Sequence, residues 1–478
     1  MHIIALNGTT KNIKQHSVNL AKIEKIKRDF PEINFITYRI SNEIKKIVDN
    51  EQYFFEILEN IKKSDAVIWS MPVYIGLIPS QFKRFIELVF DRNCQKYFAN
   101  KPAVVIMTSI KLYDTVALAY MREICEDLDM NYCGQFSAGM LEPIDKKFFL
   151  NFLSDIRNNF KHAKQTLPLK HSEYLFQDPN IKQLSDYDAA QPPAVKENSN
   201  IKYTPFNSSK KIVVLSDKLN GKPLDGYIDF LKKICPTNTE IYDLNELDIK
   251  CGCISCFECG LENRCSIKDG FVPFYKSKIM TADILIFLGS QKDRFLSWKW
   301  KEFFDRRFFS NHIPTLTDKQ ILLIVSGSSV HSRSISNYFE MYSQLEKANV
   351  CGIVFDDAQD DKSVADMIYA NLRRALELAE LKYSNNQTFF YEGARAYLNE
   401  SLEHHIFSGL YADYNYYKKH NFKQMNFKQK IGKAIILSLY EFKAVREYIF
   451  YDKPCGTIKM KIIDLILGIA YRLRTHAY

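Results

Sequence analysis

No stretch of about 18 uncharged apolar residues occurs in the 478-residue chain, so no membrane-spanning helix is expected. The opening residues, MHIIALNGTT, form a strand-and-turn pattern rather than a basic region leading into an apolar run, so no secretory signal is read there. Eleven cysteines are far too few for a disulfide scaffold at this length, and six of them (Cys94, Cys125, Cys133, Cys235, Cys351, Cys455) are scattered. A reducing, cytoplasmic compartment is the expectation. A global excess of positive charge is also missing. The net charge is +9, but Ser401 to Tyr478 carries 13 Lys/Arg against 6 Asp/Glu, so most of the excess lies in the tail. No nucleic-acid footprint over the whole protein is expected. What remains, 46% hydrophobic and 25% charged, is ordinary for a soluble globular chain with room for two or three domains.

The chain repeats itself. HIIALNGTTKN from His2 and KIVVLSDKLNG from Lys211 are each a short apolar strand with a polar turn. DAVIWSMPVYIGLIPSQFKRF from Asp65 and DILIFLGSQKDRFLSWKWKEF from Asp283 align without a gap at an offset of 218. Asp65 then matches Asp283, Lys83 matches Lys301, and Cys133-Gly134 matches Cys351-Gly352. A constant register with strands on strands indicates a duplicated domain. Continuous apolar runs alternating with amphipathic stretches suit parallel strands buried on both faces, hence two doubly wound α/β sheets. Residues 166–209, rich in Pro, Asn, Ser and Asp, read as a linker. The expected division is residues 1–165, the linker, residues 210–385, and a helical basic region over 386–478. The tail segments KIGKAIILSLYEFKAVREYIF and KMKIIDLILGIAYRLRTHAY are amphipathic with basic flanks. They suit either an anionic membrane surface or docking on the α/β domains.

Four cysteines stand in thirteen positions: CISCFECGLENRC places Cys253, Cys256, Cys259 and Cys265 at C-x2-C-x2-C-x5-C, with Cys251 just upstream. Short spacers let successive sulfurs wrap one compact centre, and iron–sulfur clusters are held by Cys thiolates. Zinc can also take four thiolates, although its sites more often show two CxxC pairs far apart. Vestigial or redox-sensing thiols are the third reading. Ligands of a doubly wound sheet bind at the carboxyl ends of strands. In the first copy those loops hold Gly8, Thr9, Thr10 and Lys11 with Ser17 near a helix start, then Pro72, Val73, Tyr74, Ile75 and Gly76, then Thr108 and Ser109. Small polar residues before a helix can bind phosphate.

This order of a phosphate loop, a strand ending in Ser-x-Pro-Val-Tyr and a helix with Lys-x-Phe resembles the flavodoxin-like NAD(P)H-dependent FMN reductases. The compact cysteine motif, the Lys268-Asp269 turn, Ala282-Asp283 and Lys301-Glu302-Phe303-Phe304-Asp305-Arg306 resemble that family's iron–sulfur flavoprotein branch. The resemblance implies two tandem flavodoxin-like sheets plus a C-terminal helical extension. It also implies FMN on the first-copy loops, with Thr9, Thr10 and Ser17 at the phosphate and Pro72 to Gly76, Thr108 and Ser109 at the ring. A 4Fe–4S cluster would sit on Cys253, Cys256, Cys259 and Cys265, with NAD(P)H as electron donor and a redox partner or small molecule as acceptor. No residue is named as catalytic.

The first copy lacks the cysteines. The second has Ser290, Gln291 and Lys292 where the first has Pro72, Val73 and Tyr74, and its first loop carries Asp217, which would repel a phosphate. Relatives of this branch assemble from identical chains with one subunit's cluster near another's flavin, so the chain is expected to fuse a divided pair, with homo-oligomers admitted. The alternatives are a non-enzymatic ferredoxin-like electron carrier or redox sensor with decayed flavin sites, and a zinc-stabilised scaffold.

Overall fold

The computed structural model describes residues 2–10, 28, 31, 33–109, 112–139, 203–217, 224–256, 258–329, 332–357, 361–404 and 411–417. Lys11, Ser17 and both tail segments lie outside them.

The first sheet contains β1 (His2–Asn7), β2 (Asn34–Tyr38), β3 (Ala66–Pro72), β4 (Pro102–Ser109) and β5 (Asn131–Gly139), all parallel in the order β2-β1-β3-β4-β5. That is the doubly wound order with the switch point between β1 and β3. Helices α1 (Ile40–Asp49), α2 (Glu51–Lys63), α3 (Ser80–Asp91) and α4 (Asp114–Asp127) pack on it. Every residue of β4 is buried, as its unbroken run PAVVIMTS requires of a strand covered on both faces. Asn50 starts α2 by accepting the Tyr53 N–H at 2.9 Å.

The second copy repeats this order. After β6 (Ile212–Ser216) come α5 (Leu224–Ile234), β7 (Glu240–Asp243), the short α6 (Glu258–Glu262) and α7 (Phe271–Phe274). They are followed by β8 (Ile284–Lys292), β9 (Phe295–Leu296), α8 (Trp298–Arg306), β10 (Gln320–Ser326), α9 (Arg333–Glu346), β11 (Asn349–Phe355) and α10 (Asp361–Glu380). The path β11-β10-β8-β6-β7 is the first sheet's order again, with β9 hairpinned on β8. Helices α11 (Phe389–His404) and α12 (Tyr411–Tyr417) follow. Among the described residues no helix is long and apolar enough to cross a membrane.

The copies agree down to irregularities. The Asp65 carboxylate accepts the His2 N–H at 2.8 Å, and Asp283 does the same for Lys211 at 2.8 Å. The ladder slips at Ala103/Val104 and at Ile321/Leu322, which skips Cys133 in one copy and Cys351 in the other. After β3, Tyr74 pairs with Leu77 across Ile75 (φ 41°) and Gly76 (φ 69°); after β8, Lys292 pairs with Phe295 across Asp293 (φ 46°) and Arg294 (φ 65°). Two central residues at positive φ make both of these tight hairpin turns.

The copies face each other through α3 and α8, and one apolar cluster runs through both, including Phe82 and Phe85 of the first and Phe303 and Phe304 of the second. The polar contacts obey a pseudo-twofold. Lys83 Nζ donates to the Lys292 carbonyl at 3.0 Å, and Lys301 Nζ donates to the Tyr74 carbonyl at 2.9 Å. Lys83 pairs with Glu87, and Lys301 with Asp305. Glu87 accepts the Trp298 N–H at 2.6 Å, so it caps α8; Asp305 accepts the Ser80 N–H at 2.7 Å, so it caps α3. Each helix start in one copy is thus held by a carboxylate of the other. A twofold dimer makes such reciprocal contacts between identical chains; here they are internal. Trp300 is fully buried against Phe287 and Phe304, while Trp298 lies at the seam with the Arg84 guanidinium over its ring.

Candidate functional site

The first-copy loops meet beneath this seam. The Gly8 N–H donates to the Ser70 carbonyl at 2.7 Å, and a Cβ at Gly8 would stand 2.6 Å from Met71 Cβ and 2.9 Å from the Phe82 ring. Only glycine lets this turn come so close to β3. Thr9, buried, donates its N–H to Asn7 Oδ1 at 3.0 Å. Thr10 Oγ1 and Tyr74 Oη share a hydrogen bond of 2.8 Å. Val73 N–H donates to the Thr108 carbonyl at 2.9 Å, which joins the second and third loops; Thr108 and Ser109 are buried at the end of β4. Thr9, Thr10, Pro72 to Gly76, Thr108 and Ser109 are therefore brought to one sheet edge. Gly76 also touches the other copy, since a Cβ there would meet Met341 Cε at 2.0 Å.

A cleft opens from these loops. One wall is Val73, Ile75, Gly76, Ser109 and Leu112 of the first copy. The other is built from the second copy: Arg307, Phe308, Asn311, His312, Tyr342, Leu345 and Glu346. Arg307 is neutralised by Glu346, which also accepts the Thr315 N–H at 2.7 Å. Sequence reasoning missed this wall. Its residues belong to helix ends with no motif, and only the pseudo-twofold brings them opposite the flavin-type loops.

Tyr74 links the two copies. Its ring stands edge-on to Phe308, with centroids 5.6 Å apart, and its hydroxyl is turned from the cleft toward Thr10 and Ser255. Burial raises its pKa, the nearby Cys253 thiol adds to this, and the Ser255 and Thr10 hydroxyls oppose it. The second copy's cysteine loop therefore lands on the first copy's loop after β1 through Tyr74. Gln81 Nε2 also donates to the Cys253 carbonyl at 3.3 Å, and Gly252 lies so close to Ser80 that a Cβ would stand 2.4 Å from its Oγ.

Cys253, Cys256, Cys259 and Cys265 are all half-buried. Burial pushes the Cys253 and Cys259 thiols up, with Cys259 and Cys256 adding to the first and Cys256 and Cys265 to the second, so the four sulfurs share one neighbourhood. Arg306 reaches Cys265 Sγ at 3.8 Å while clamping Asp269 with both guanidinium nitrogens and donating to the Cys251 carbonyl at 2.9 Å. Asn311 Nδ2 donates to the Cys259 carbonyl at 2.6 Å, which ties the loop to the cleft wall. Among the described residues no three His, Cys, Asp or Glu side chains converge on the position of a single metal ion.

The second copy's own strand ends are closed. Gln291 Oε1 accepts the Ser328 N–H at 2.8 Å, and Lys292 and Arg294 are spent on Asp91 and Asp127 of the first copy. Asp217 stands where the first copy has Gly8, but its carboxylate is fully buried and accepts from the Ser297 hydroxyl. It does not face a phosphate position, which corrects the expected repulsion. The space comes from exchange: Met71 and Phe82 become Gly289 and Trp300.

Burial pushes Asp217 up to about 7, against the Ser297 hydrogen bond. An unfolded aspartate ionises near 3.9, so the protonated folded carboxyl contributes stability that is complete below about pH 4 and is lost as pH rises through about 7. Asparagine mimics the protonated form. Asp217→Asn should gain on the parent by roughly 2–4 kcal/mol between pH 5 and pH 8 in urea unfolding; a difference that does not vary with pH would contradict the assignment.

Residues 1–140 match the family model of NADPH-dependent FMN reductases. No curated protein matches the chain. Similar solved structures include FerB, a flavoenzyme NAD(P)H:(acceptor) oxidoreductase from Paracoccus denitrificans, at 18% identity, covering 34% of this chain and 97% of that one, TM-score 0.26. An NAD(P)H:quinone oxidoreductase from Methanothermobacter marburgensis is 13% identical, covering 34% and 96%, TM-score 0.24. An FMN-dependent NADH-azoreductase from Bacillus anthracis, in complex with FMN, is 13% identical, covering 34% and 99%, TM-score 0.24.

Proposed function

We propose that the chain, whose residues 1–140 match the NADPH-dependent FMN reductase family model, is an NAD(P)H-dependent flavin oxidoreductase that carries one FMN and one 4Fe–4S cluster on opposite copies. The observation that carries this reading is the seating of the second copy's cysteine loop on the first copy's flavin-type loops through Thr10, Tyr74, Ser255 and Gln81.

The residues fit both groups. The Gly8 turn brings backbone against β3 with no side chain in the way, and the Thr9 and Thr10 hydroxyls would serve the phosphate, as Lys11 and Ser17 would, while the Thr9 N–H stays with Asn7. Backbone from Pro72 to Gly76, with Thr108 and Ser109, would hold the ring edge. FMN supplies the exchange between two-electron hydride chemistry and single electrons. The chain's part is to seat the ring, shield it with Phe308, Tyr342 and Leu345, and keep the Arg307 charge paired with Glu346. Four thiols at C-x2-C-x2-C-x5-C, on a loop with glycines at 252 and 260 that let it curl, would wrap a cubane. Burial keeps Cys253 and Cys259 protonated without metal, so binding iron would release those protons. Arg306 would offset part of the thiolate charge. The electron acceptor is a redox protein or small molecule.

Anaerobic mixing of the FMN-loaded protein with NADPH tests the reading. The flavin absorbance should bleach within the mixing experiment and return with an added acceptor. Tight FMN binding without bleaching would sink the enzyme assignment in favour of a carrier.

A further inference from the structure

Histidine 312 lies on the second-copy wall of the cleft, with its side chain 11% exposed. Its Nδ1 lies 2.6 Å from Asp413 Oδ2, and its backbone N–H donates to Asp413 Oδ1 at 3.1 Å. Asp413 is fully buried and comes from α12, a hundred residues downstream. From the same helix, Tyr417 Oη donates to the His312 carbonyl at 2.6 Å. Phe308 stands edge-on to the imidazole, with centroids 6.3 Å apart at 87°. A carboxylate only accepts, so Nδ1 carries a proton and Nε2 is the ring's working nitrogen. Backbone, side chain and aromatic neighbour all fix the ring in one orientation, more than a structural pin for α12 requires. The other charged groups on this wall, Arg307 and Glu346, are occupied with each other.

We infer that His312, positioned by Asp413, is the proton donor of the cleft, serving an acceptor that takes up two electrons and two protons. This rests on the flavin oxidoreductase reading. NADPH, by way of the bound flavin, supplies two electrons and one proton as a hydride equivalent. The second proton passes through His312: Nδ1–H stays on Asp413, Nε2 takes a proton from solvent, that Nε2–H bond breaks as an O–H bond forms on the reduced acceptor, and the ring returns to its Nδ1–H form. A proton donor on the wall of an otherwise apolar cleft suits an oxygen that gains charge on reduction.

The test compares two acceptors on the FMN-loaded full chain, after flavin reduction by NADPH has been measured by itself. p-Benzoquinone needs protons and ferricyanide does not. His312→Gln and Asp413→Asn should each lower the quinone-to-ferricyanide rate ratio tenfold or more, and should abolish the solvent deuterium isotope effect on the quinone reaction. A second readout needs no flavin: 15N spectra of histidine-labelled protein should show His312 protonated at Nδ1 in the parent and at Nε2 in Asp413→Asn. Equal slowing with both acceptors, or a parent ring protonated at Nε2 and bare at Nδ1, overturns the inference while leaving the flavin reading intact. Absence of flavin reduction by NADPH in the parent overturns both.

Discussion

Asp305→Ala should destabilise the protein by about 3–5 kcal/mol, the cost typical of breaking a buried ion pair by removing one partner. Asp305 and Lys301 are both fully buried, and they pair with each other. Removing the carboxylate leaves the Lys301 ammonium with the Tyr74 carbonyl alone and leaves the Ser80 N–H at the start of α3 without its acceptor. Both losses fall on the seam between the copies, so they should appear together as one lowered urea midpoint. Asp91→Ala is the contrast. Its partner Lys292 is a cross-copy contact too, but both groups are partly exposed, with side-chain exposures of 37% and 26%. Screening and side-chain entropy keep such a pair within about 1 kcal/mol. Replacing both members of the buried pair, Lys301→Met with Asp305→Leu, should recover most of the loss, since the desolvation cost of the ions goes with them. Asp305→Ala within about 1 kcal/mol of the parent would mean that the seam does not hold the copies together.

Cys259→Ser should reduce iron from about four per chain to under one in anaerobically prepared protein, while FMN stays at one per chain. Cys259 is the most central thiol, since Cys256 and Cys265 both act on it and it also adds to Cys253. A serine hydroxyl holds its proton far more firmly than a thiol and gives iron no soft ligand. Cys251→Ser is the control: the Cys251 carbonyl is held by Arg306, and its thiol is not among those acting on Cys253 or Cys259. Its iron content should match the parent. Equal loss in both variants, or in neither, would contradict the ligand set of Cys253, Cys256, Cys259 and Cys265.

The duplication was legible because it is written in local pattern. Asp65 and Asp283 start their sheets with the same hydrogen bond, and the skipped residues Cys133 and Cys351 fall at the same slip in the ladder. Apolar runs such as PAVVIMTS fix buried parallel strands whatever surrounds them. How the copies face each other was not legible. Glu87 carries no signal in sequence and Asp305 is legible only as part of the Lys301–Arg306 motif, because their roles as caps depend on a helix of the other copy. Tyr74 could be placed on a flavin-type loop but not aimed, because the hydroxyl follows Ser255, which arrives from the second copy. Asp217 was read as facing a phosphate because nothing in its own loop reveals the matching vacancy left by Gly289. His312 had no periodic or motif signal, and its partner Asp413 lies in a different helix a hundred residues on.

The division of labour between the copies is tested most directly by counting iron, zinc and FMN per chain on one anaerobically purified sample. The account predicts about four irons and one FMN, with no stoichiometric zinc. Two FMN per chain would contradict the divided pair, and zinc without flavin would contradict the oxidoreductase itself.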